Sequence, residues 1–164
     1  MQVFLFDIMH EIFMKRALTC AKKAAKMGEV PVGAVVVRNG EVISTGYNRR
    51  ETDKNALRHA EITAIDRACK KLGGWRLWEC DIYVTLEPCP MCAGAIINSR
   101  IRNVYVGAPD LKNGAMGSVV SLQDNFTHKP TVVNGILKDE CAAVLSDFFR
   151  SLRERKRSEK SQDV

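Results

Sequence analysis

The chain has 164 residues and a formal net charge of +6, and 46% of its residues are hydrophobic and 27% charged. This composition is typical of a soluble globular protein and excludes a disordered chain, and no apolar run reaches the roughly 20 residues of a membrane span. We therefore predict a single domain over residues 1–164, with a core at about 10–153 and a basic, frayed tail at 154–164.

The N-terminal segment and the cysteines indicate the cellular compartment in which the protein is expected. Asp7, His10 and Glu11 interrupt the apolar start, which also lacks a basic leader, so we interpret it as the start of a helix rather than a signal peptide. The chain carries six cysteines. Without an export signal, they indicate a reducing, cytoplasmic location, where paired cysteines more often bind metal or catalyse than form disulfides.

Hydrophobic spacing predicts a helix and a hairpin in the first third of the chain. A repeat of three and four residues marks the helix, a Val-rich run marks a buried strand, and an Asn-Gly pair marks a tight turn. In chain order these are a helix over Met14–Ala24 closed by Gly28, a strand Val32–Val37, the turn Asn39-Gly40, a strand Glu41–Gly46 and a loop over residues 47–58.

Helices and strands alternate in the rest of the chain. The predicted elements are a helix Ala60–Leu72, a strand Asp81–Leu86, a helix Pro88–Asn98, a strand Ile101–Val106, loops over 108–130 with a short helical piece at Ser118–Leu122, an edge strand at Val132–Val133, and a last helix with Cys141, Val144, Leu145, Phe148 and Leu152 on one stripe. This order predicts an α/β protein, a three-layer α/β/α domain on a central mixed five-stranded sheet.

Four residues at two predicted helix starts form the strongest chemical pattern. His59 and Glu61 open one helix, and Cys89 and Cys92 open the next. Two cysteines at this spacing reach one ion, and the positive end of a helix favours their thiolate form. No obvious fourth ligand accompanies them, so we predict three zinc ligands plus water, which is the pattern of a catalytic site.

Glu61 is predicted to move protons rather than to bind the metal. It lies about 200° around the helix from His59, which is poorly placed for the same ion. Zinc with two thiolates and a neutral imidazole carries no net charge, and it lowers the pKa of bound water toward about 7. Glu61 can then carry protons between this zinc-bound hydroxide and a leaving amine.

Each part of the pattern taken singly has an ordinary alternative. The Cys89–Cys92 pair could be a redox pair or core cysteines, His59 a packed histidine, and Glu61 a solvated first-turn carboxylate. Together, H-x-E followed by P-C-x-x-C is the signature of the zinc-dependent nucleobase deaminases.

Longer stretches of the chain resemble the bacterial tRNA-specific adenosine deaminases. The resemblance covers about residues 14–153, and its most specific part is Thr85–Ile96, which reads TLEPCPMCAGAI. It implies the cytidine-deaminase fold, one zinc ion per chain, a homodimer, and a tRNA anticodon stem-loop as partner. The implied reaction converts adenosine to inosine at the wobble position of an arginine tRNA.

The resemblance also implies roles for single residues. It assigns Asn48 to the adenine or its ribose, Val30 to the base pocket, the Ala60 N–H to the base edge, Asp110 and Lys112 to the flanking nucleotides, and Phe149, Arg150 and Arg153 to the anticodon loop. Asn48 and Asp110 are also ordinary turn residues. Arg58 departs from the family pattern beside His59, and Trp75 and Trp78 are predicted to pack in the core or at a dimer interface.

Two further functions are compatible with these residues. One is a free-base or nucleotide deaminase of the same superfamily, acting on guanine, cytidine or deoxycytidylate. The other is a non-catalytic, zinc-stabilised RNA-binding module, although a structural site has no need of Glu61. The basic tail fits either phosphate contacts or a solubilising helix end.

Overall fold

The computed structural model describes residues 2–162 of the chain, and the side chains of residues 7–161. These residues form four α-helices and five strands. They are α1 Gln2–Lys26, β1 Gly33–Arg38, β2 Glu41–Tyr47, α2 Ala60–Leu72, β3 Cys80–Leu86, α3 Pro90–Asn98, β4 Asn103–Ala108, a 3₁₀ turn Leu122–Asn125, β5 Thr131–Asn134 and α4 Lys138–Gln162.

The five strands form one mixed sheet in the order β2-β1-β3-β4-β5. β1 pairs with β2 and β3 in antiparallel orientation, whereas β3, β4 and β5 run parallel. The carboxyl ends of β3 and β4 therefore lie at the same edge, where ligands bind in open α/β sheets. The α/β class and the mixed five-stranded sheet are confirmed.

Two apolar layers cover the two faces of the sheet, because successive strand residues point to opposite sides. In β1, Ala34 and Val36 pack with α2 and α3, whereas Val35 and Val37 pack with α1 and α4. The predicted α/β/α layering is thus present. Among the helices within the described range, none combines the length and apolarity that crossing a bilayer requires.

Both terminal helices are longer than predicted. The predicted helix start in the N-terminal segment is present, and α1 extends back to Gln2, with Met1 outside the described residues. The tail predicted to fray from residue 154 is helical through Gln162, and its side chains at 154–161 are exposed. Its Arg, Lys and Glu residues have good helix propensity, and fraying of this exposed end stays a prediction.

One local prediction is wrong, and another is wrong in one of its two alternatives. The helical piece at Ser118–Leu122 is absent, and the 3₁₀ turn starts only at Leu122. The reason is that the Leu122 N–H, which an α-helix would direct to the Ser118 carbonyl, donates to the Ala115 carbonyl at 3.0 Å. Trp75 and Trp78 are half exposed, so neither is a core residue, and their packing at a dimer interface stays a prediction. Each indole ring contacts a neighbouring side chain: the Arg76 guanidinium stacks on Trp75, and the His128 ring lies edge-on to Trp78.

The contact between β2 and α2 depends on a glycine. A Cβ built at Gly46 would lie 2.1 Å from the Ala60 carbonyl oxygen, in the first turn of α2. We expect Gly46→Ala to destabilise the protein by about 1–3 kcal/mol, because the helix must move away from the sheet. Urea unfolding measures this loss. Gly74→Ala is the matched control, since a Cβ built at Gly74 would meet nothing within 4 Å, and an equal loss there would contradict the assignment.

Candidate active site

The starts of α2 and α3 present the predicted zinc ligands. His59 and Cys89 are the N-cap residues of these helices, and both have extended backbone conformation. Neither side chain caps its helix; instead their carbonyls accept the first-turn N–H groups of Thr63 and Ala93. The imidazole and the thiol are therefore free to project into the space between the two helices.

The three ligand atoms are spaced as a zinc site requires. The His59 Nδ1 atom lies 3.7 Å from the Cys89 Sγ and 3.5 Å from the Cys92 Sγ, and all three lie within 4.8 Å of one another. Zn–N and Zn–S bonds at a tetrahedral angle place such atoms about 3.6 Å apart. Among the described side chains, residues 7–161, no fourth His, Cys, Asp or Glu joins the group, and three protein donors is the number typical of a catalytic zinc site.

The two cysteines differ in acidity. Hydrogen bonds from Cys92 and from His59 lower the pKa of the Cys89 thiol to about 4, against the effect of burial. The bond with Cys89, together with burial, raises the pKa of Cys92, and the bond with Cys89 also raises the pKa of His59. A thiolate at a helix start is the form that binds zinc, so the donor set fits this metal.

Glu61 lies in the first turn of α2 and lines the same cleft as His59. Its side chain is only 3% exposed. Burial raises the pKa of its carboxyl to about 7. A carboxyl group that exchanges its proton near neutral pH, beside a metal site that it does not join, has the properties of a general acid and base.

A cleft of about 370 Å³ opens over these residues, a volume within the usual range of small-molecule pockets. Four predicted substrate residues line it: Val30, Asn48, Ala60 and Asp110. The other four are exposed and lie away from this lining: Lys112 follows Asp110 on a loop, and Phe149, Arg150 and Arg153 are on α4.

Asn48 and Asp110 hold turns as well as facing the cleft. The Asn48 amide donates to the Val30 carbonyl at 3.2 Å and accepts from the Arg50 N–H at 3.2 Å. The Asp110 Oδ1 atom accepts from the N–H groups of Lys112 and Asn113, both at 3.0 Å. The ordinary turn role of each is therefore present in addition to its position in the cleft.

Sequence reasoning missed several cleft residues. Arg50 and Asn113 line it from loops that carry no motif signal, and the sequence marks Glu87 only as part of the TLEPC stretch. Arg58, in contrast, faces Asp53, to which its guanidinium lies at 3.4 Å. The remaining cleft residues are Val32, Leu86 and Pro90.

The sequence profile of the MafB19-like deaminases matches residues 8–153. The chain is also 51% identical over 150 residues to the tRNA-specific adenosine deaminase of Bacillus subtilis strain 168, covering 90% of this chain and 93% of that protein. The chain therefore belongs to the tRNA-specific adenosine deaminase family within the MafB19-like deaminases.

Solved structures show the same relationship. One, from a study of A-to-I editing by tRNA:A34 deaminases at the wobble position of transfer RNA, is 46% identical, with a TM-score of 0.79, and covers 81% of this chain and 98% of that one. The guanine deaminase of Nitrosomonas europaea is 26% identical, with a TM-score of 0.74, over 84% of this chain and 83% of that one. The predicted cytidine-deaminase-like fold agrees with these neighbours.

Proposed function

We propose that this protein is a zinc-dependent hydrolase that converts adenosine to inosine at the wobble position of a tRNA anticodon. The observation that carries the proposal is the His59, Cys89 and Cys92 donor set, with the buried carboxyl of Glu61 in the same cleft. Family membership supports the nucleoside and the tRNA. We also propose that the substrate is an arginine tRNA, which the sequence resemblance implies.

The residues of the cleft account for each proton in the reaction. His59, Cys89 and Cys92 would hold the zinc ion, which when bound would supply an activated water for attack on C6 of adenine. Glu61 takes the proton from this water and delivers it to a ring nitrogen, and then helps to protonate the departing amine. Adenosine and water are consumed and inosine and ammonia are formed, so the atoms of the reaction balance.

The substrate must enter as an unstacked base. An anticodon loop presents single-stranded bases that can be turned outward at low cost, which a duplex does not. We propose that Val30, Asn48 and the N–H of Ala60 receive the adenine, and that Asp110 and Lys112 meet its neighbours. The net charge of +6 supplies attraction to the phosphates.

The direct test is an inosine assay on an arginine-tRNA anticodon stem-loop. Purified protein is incubated with the RNA, the nucleosides are separated after digestion, and zinc is measured on the same sample. We expect inosine at the wobble position and about one zinc per chain. Folded, zinc-loaded protein that forms no inosine would contradict the proposal.

A free-base deaminase is the second candidate, because the guanine deaminase neighbour has a similar fold. Release of ammonia from guanine, cytidine or deoxycytidylate, without turnover of RNA, would establish it. The third candidate is a non-catalytic zinc-stabilised RNA-binding module, for which Glu61 would be dispensable to every measurable property. The buried position of Glu61 in the cleft disfavours this module.

Phe148 and Phe149 provide a matched pair for testing RNA contact. Phe148 is 9% exposed and Phe149 is 39% exposed. We expect Phe149→Ala to raise KM for the stem-loop about 5- to 150-fold with kcat little changed, because base–aromatic stacking contributes about 1–3 kcal/mol. Phe148→Ala should instead lower the free energy of unfolding. Steady-state kinetics and urea unfolding separate the two, and equal KM values for wild type and Phe149→Ala would exclude stacking.

The assembly and the compartment are also proposals. A homodimer is supported by exposed apolar side chains on the described surface, including Trp78 and Phe126. Sedimentation velocity tests it. A cytoplasmic location is supported by the tRNA substrate and by the six cysteines, none of which is paired in a disulfide.

A further inference from the structure

A second carboxylate, Glu87, lines the cleft but differs from Glu61 in its surroundings. Glu87 directly follows Leu86, the last residue of β3, and lies two residues before the predicted ligand Cys89. Its side chain is 3% exposed. A buried carboxylate is costly unless hydrogen bonds satisfy its oxygens, so its partners indicate what it does.

Among the described residues, the hydrogen-bond partners of the Glu87 side chain all lie in one loop, residues 110–118. The Oε1 atom accepts from the N–H groups of Met116 at 3.1 Å and Ser118 at 2.9 Å. The Oε2 atom accepts from the N–H of Asp110 at 3.1 Å and from the Ser118 hydroxyl. With two donors on each oxygen, this carboxylate is fixed as an acceptor and is not the proton carrier.

The loop that Glu87 holds forms one wall of the cleft. Asp110 and Asn113 of this loop line the cleft, and the backbone on both sides of Glu87 is tied to the same region. The Glu87 N–H donates to the Ala108 carbonyl, and the Ala115 N–H donates to the Pro88 carbonyl. The wall is thus tied directly to the segment that carries the metal ligand Cys89.

Gly114 shows how closely the loop fits this carboxylate. A Cβ built at Gly114 would lie 2.5 Å from the Glu87 Oε2 atom and 2.5 Å from the Asp110 carbonyl oxygen. A glycine is required here because the loop backbone approaches the carboxylate directly. Substitution of Gly114 therefore offers a way to displace the loop without changing any charge.

We infer that Glu87 is a positioning residue, which fixes the 110–118 loop so that Asp110 and Asn113 meet the nucleotides beside the reacting base. This inference rests on the proposed function for its substrate. Glu87 contacts the wall of the cleft rather than the reacting atoms. Its loss should weaken substrate binding while the proton transfer by Glu61 continues.

The test compares Glu87→Gln and Gly114→Ala in the full-length, zinc-loaded protein. Glutamine keeps the shape of the side chain, but its NH₂ group faces two donors of the loop and can accept from neither of them. Hydrogen exchange at the amides of residues 110, 116 and 118 should become about tenfold faster in both variants. KM for the stem-loop should rise about tenfold with kcat changed less than about threefold and zinc unchanged.

Two controls separate positioning from a general loss of stability. Glu29 is buried and accepts from the N–H groups of Glu51 and Thr52 on another loop, so Glu29→Gln should speed exchange there and leave 110–118 protected. Ile101→Val trims a fully buried core residue and should leave KM at the wild-type value.

The results distinguish a positioning role of Glu87 from ordinary packing. Unchanged exchange at 110–118 in Glu87→Gln, or a KM equal to that of Ile101→Val, would overturn the inference and leave Glu87 as ordinary packing. Loop-specific exchange with a raised KM supports it. If the wild-type protein forms no inosine, the proposed function fails, and the exchange measurement alone still decides whether Glu87 fixes the loop.

Discussion

Replacing Glu61 with glutamine should lower kcat about 10²- to 10⁴-fold, the usual contribution of general acid–base catalysis, while zinc stays at about one per chain. Glutamine keeps the size of the side chain but cannot take or give the proton. The metal should remain because Glu61 is outside the His59, Cys89 and Cys92 group. Single-turnover formation of inosine measures the rate, and elemental analysis measures the zinc.

The matched control for this variant is Glu41→Gln, at an exposed position that starts β2. It removes a carboxylate without touching the cleft, so both rate and zinc content should equal those of the wild type. Loss of zinc in Glu61→Gln would show that Glu61 is a ligand rather than a proton carrier. Full activity in Glu61→Gln would refute the assignment of Glu61 as the proton carrier.

Replacing Cys89 with alanine should remove both zinc and activity. Two protein ligands remain after this change, and zinc sites in proteins use at least three. The start of α3 should survive, because the Cys89 side chain makes no capping hydrogen bond and Pro90 still begins the helix. We expect the zinc content to fall from about one per chain toward zero, with no detectable inosine.

Circular dichroism and urea unfolding verify that the Cys89→Ala protein is folded. Cys69→Ala is the control, since this partly exposed cysteine of α2 lies outside the predicted zinc group. It should keep wild-type zinc and wild-type turnover. Zinc and activity that persist in Cys89→Ala would refute the three-ligand assignment, and their loss in both variants would point to a general effect of thiol removal.

Much of the fold was predictable because its signals are local. The Val-rich run of β1 and the Asn39-Gly40 turn each specify structure within a few residues, and the α2 helix begins and ends at the predicted residues Ala60 and Leu72. Some predicted helix boundaries were wrong, because hydrogen bonds of the surrounding loop set them rather than the local residue pattern. In the predicted helix at Ser118–Leu122, the Leu122 N–H donates to the Ala115 carbonyl instead of the Ser118 carbonyl that an α-helix would require.

The sequence by itself determined which four residues to propose for the chemistry of this site. The spacing within His59–Glu61 and Cys89–Cys92 is local, and both pairs lie at helix starts that sequence signals reveal, so the donor set and its proton carrier could be predicted together. Zinc ligation itself stays a prediction that the 3.5 and 3.7 Å distances from Nδ1 to the two sulfurs support.

Only the tertiary structure decided how the cleft around these four residues is built. Glu87 is held by hydrogen bonds from a loop that begins 23 residues later in the chain, and Arg50 and Asn113 line the cleft from loops that carry no motif signal. The exposure of Trp75 and Trp78 likewise depends on what the rest of the chain leaves uncovered. Ligand spacing is a property of one or two helical turns, whereas the wall of a pocket depends on segments far apart in sequence.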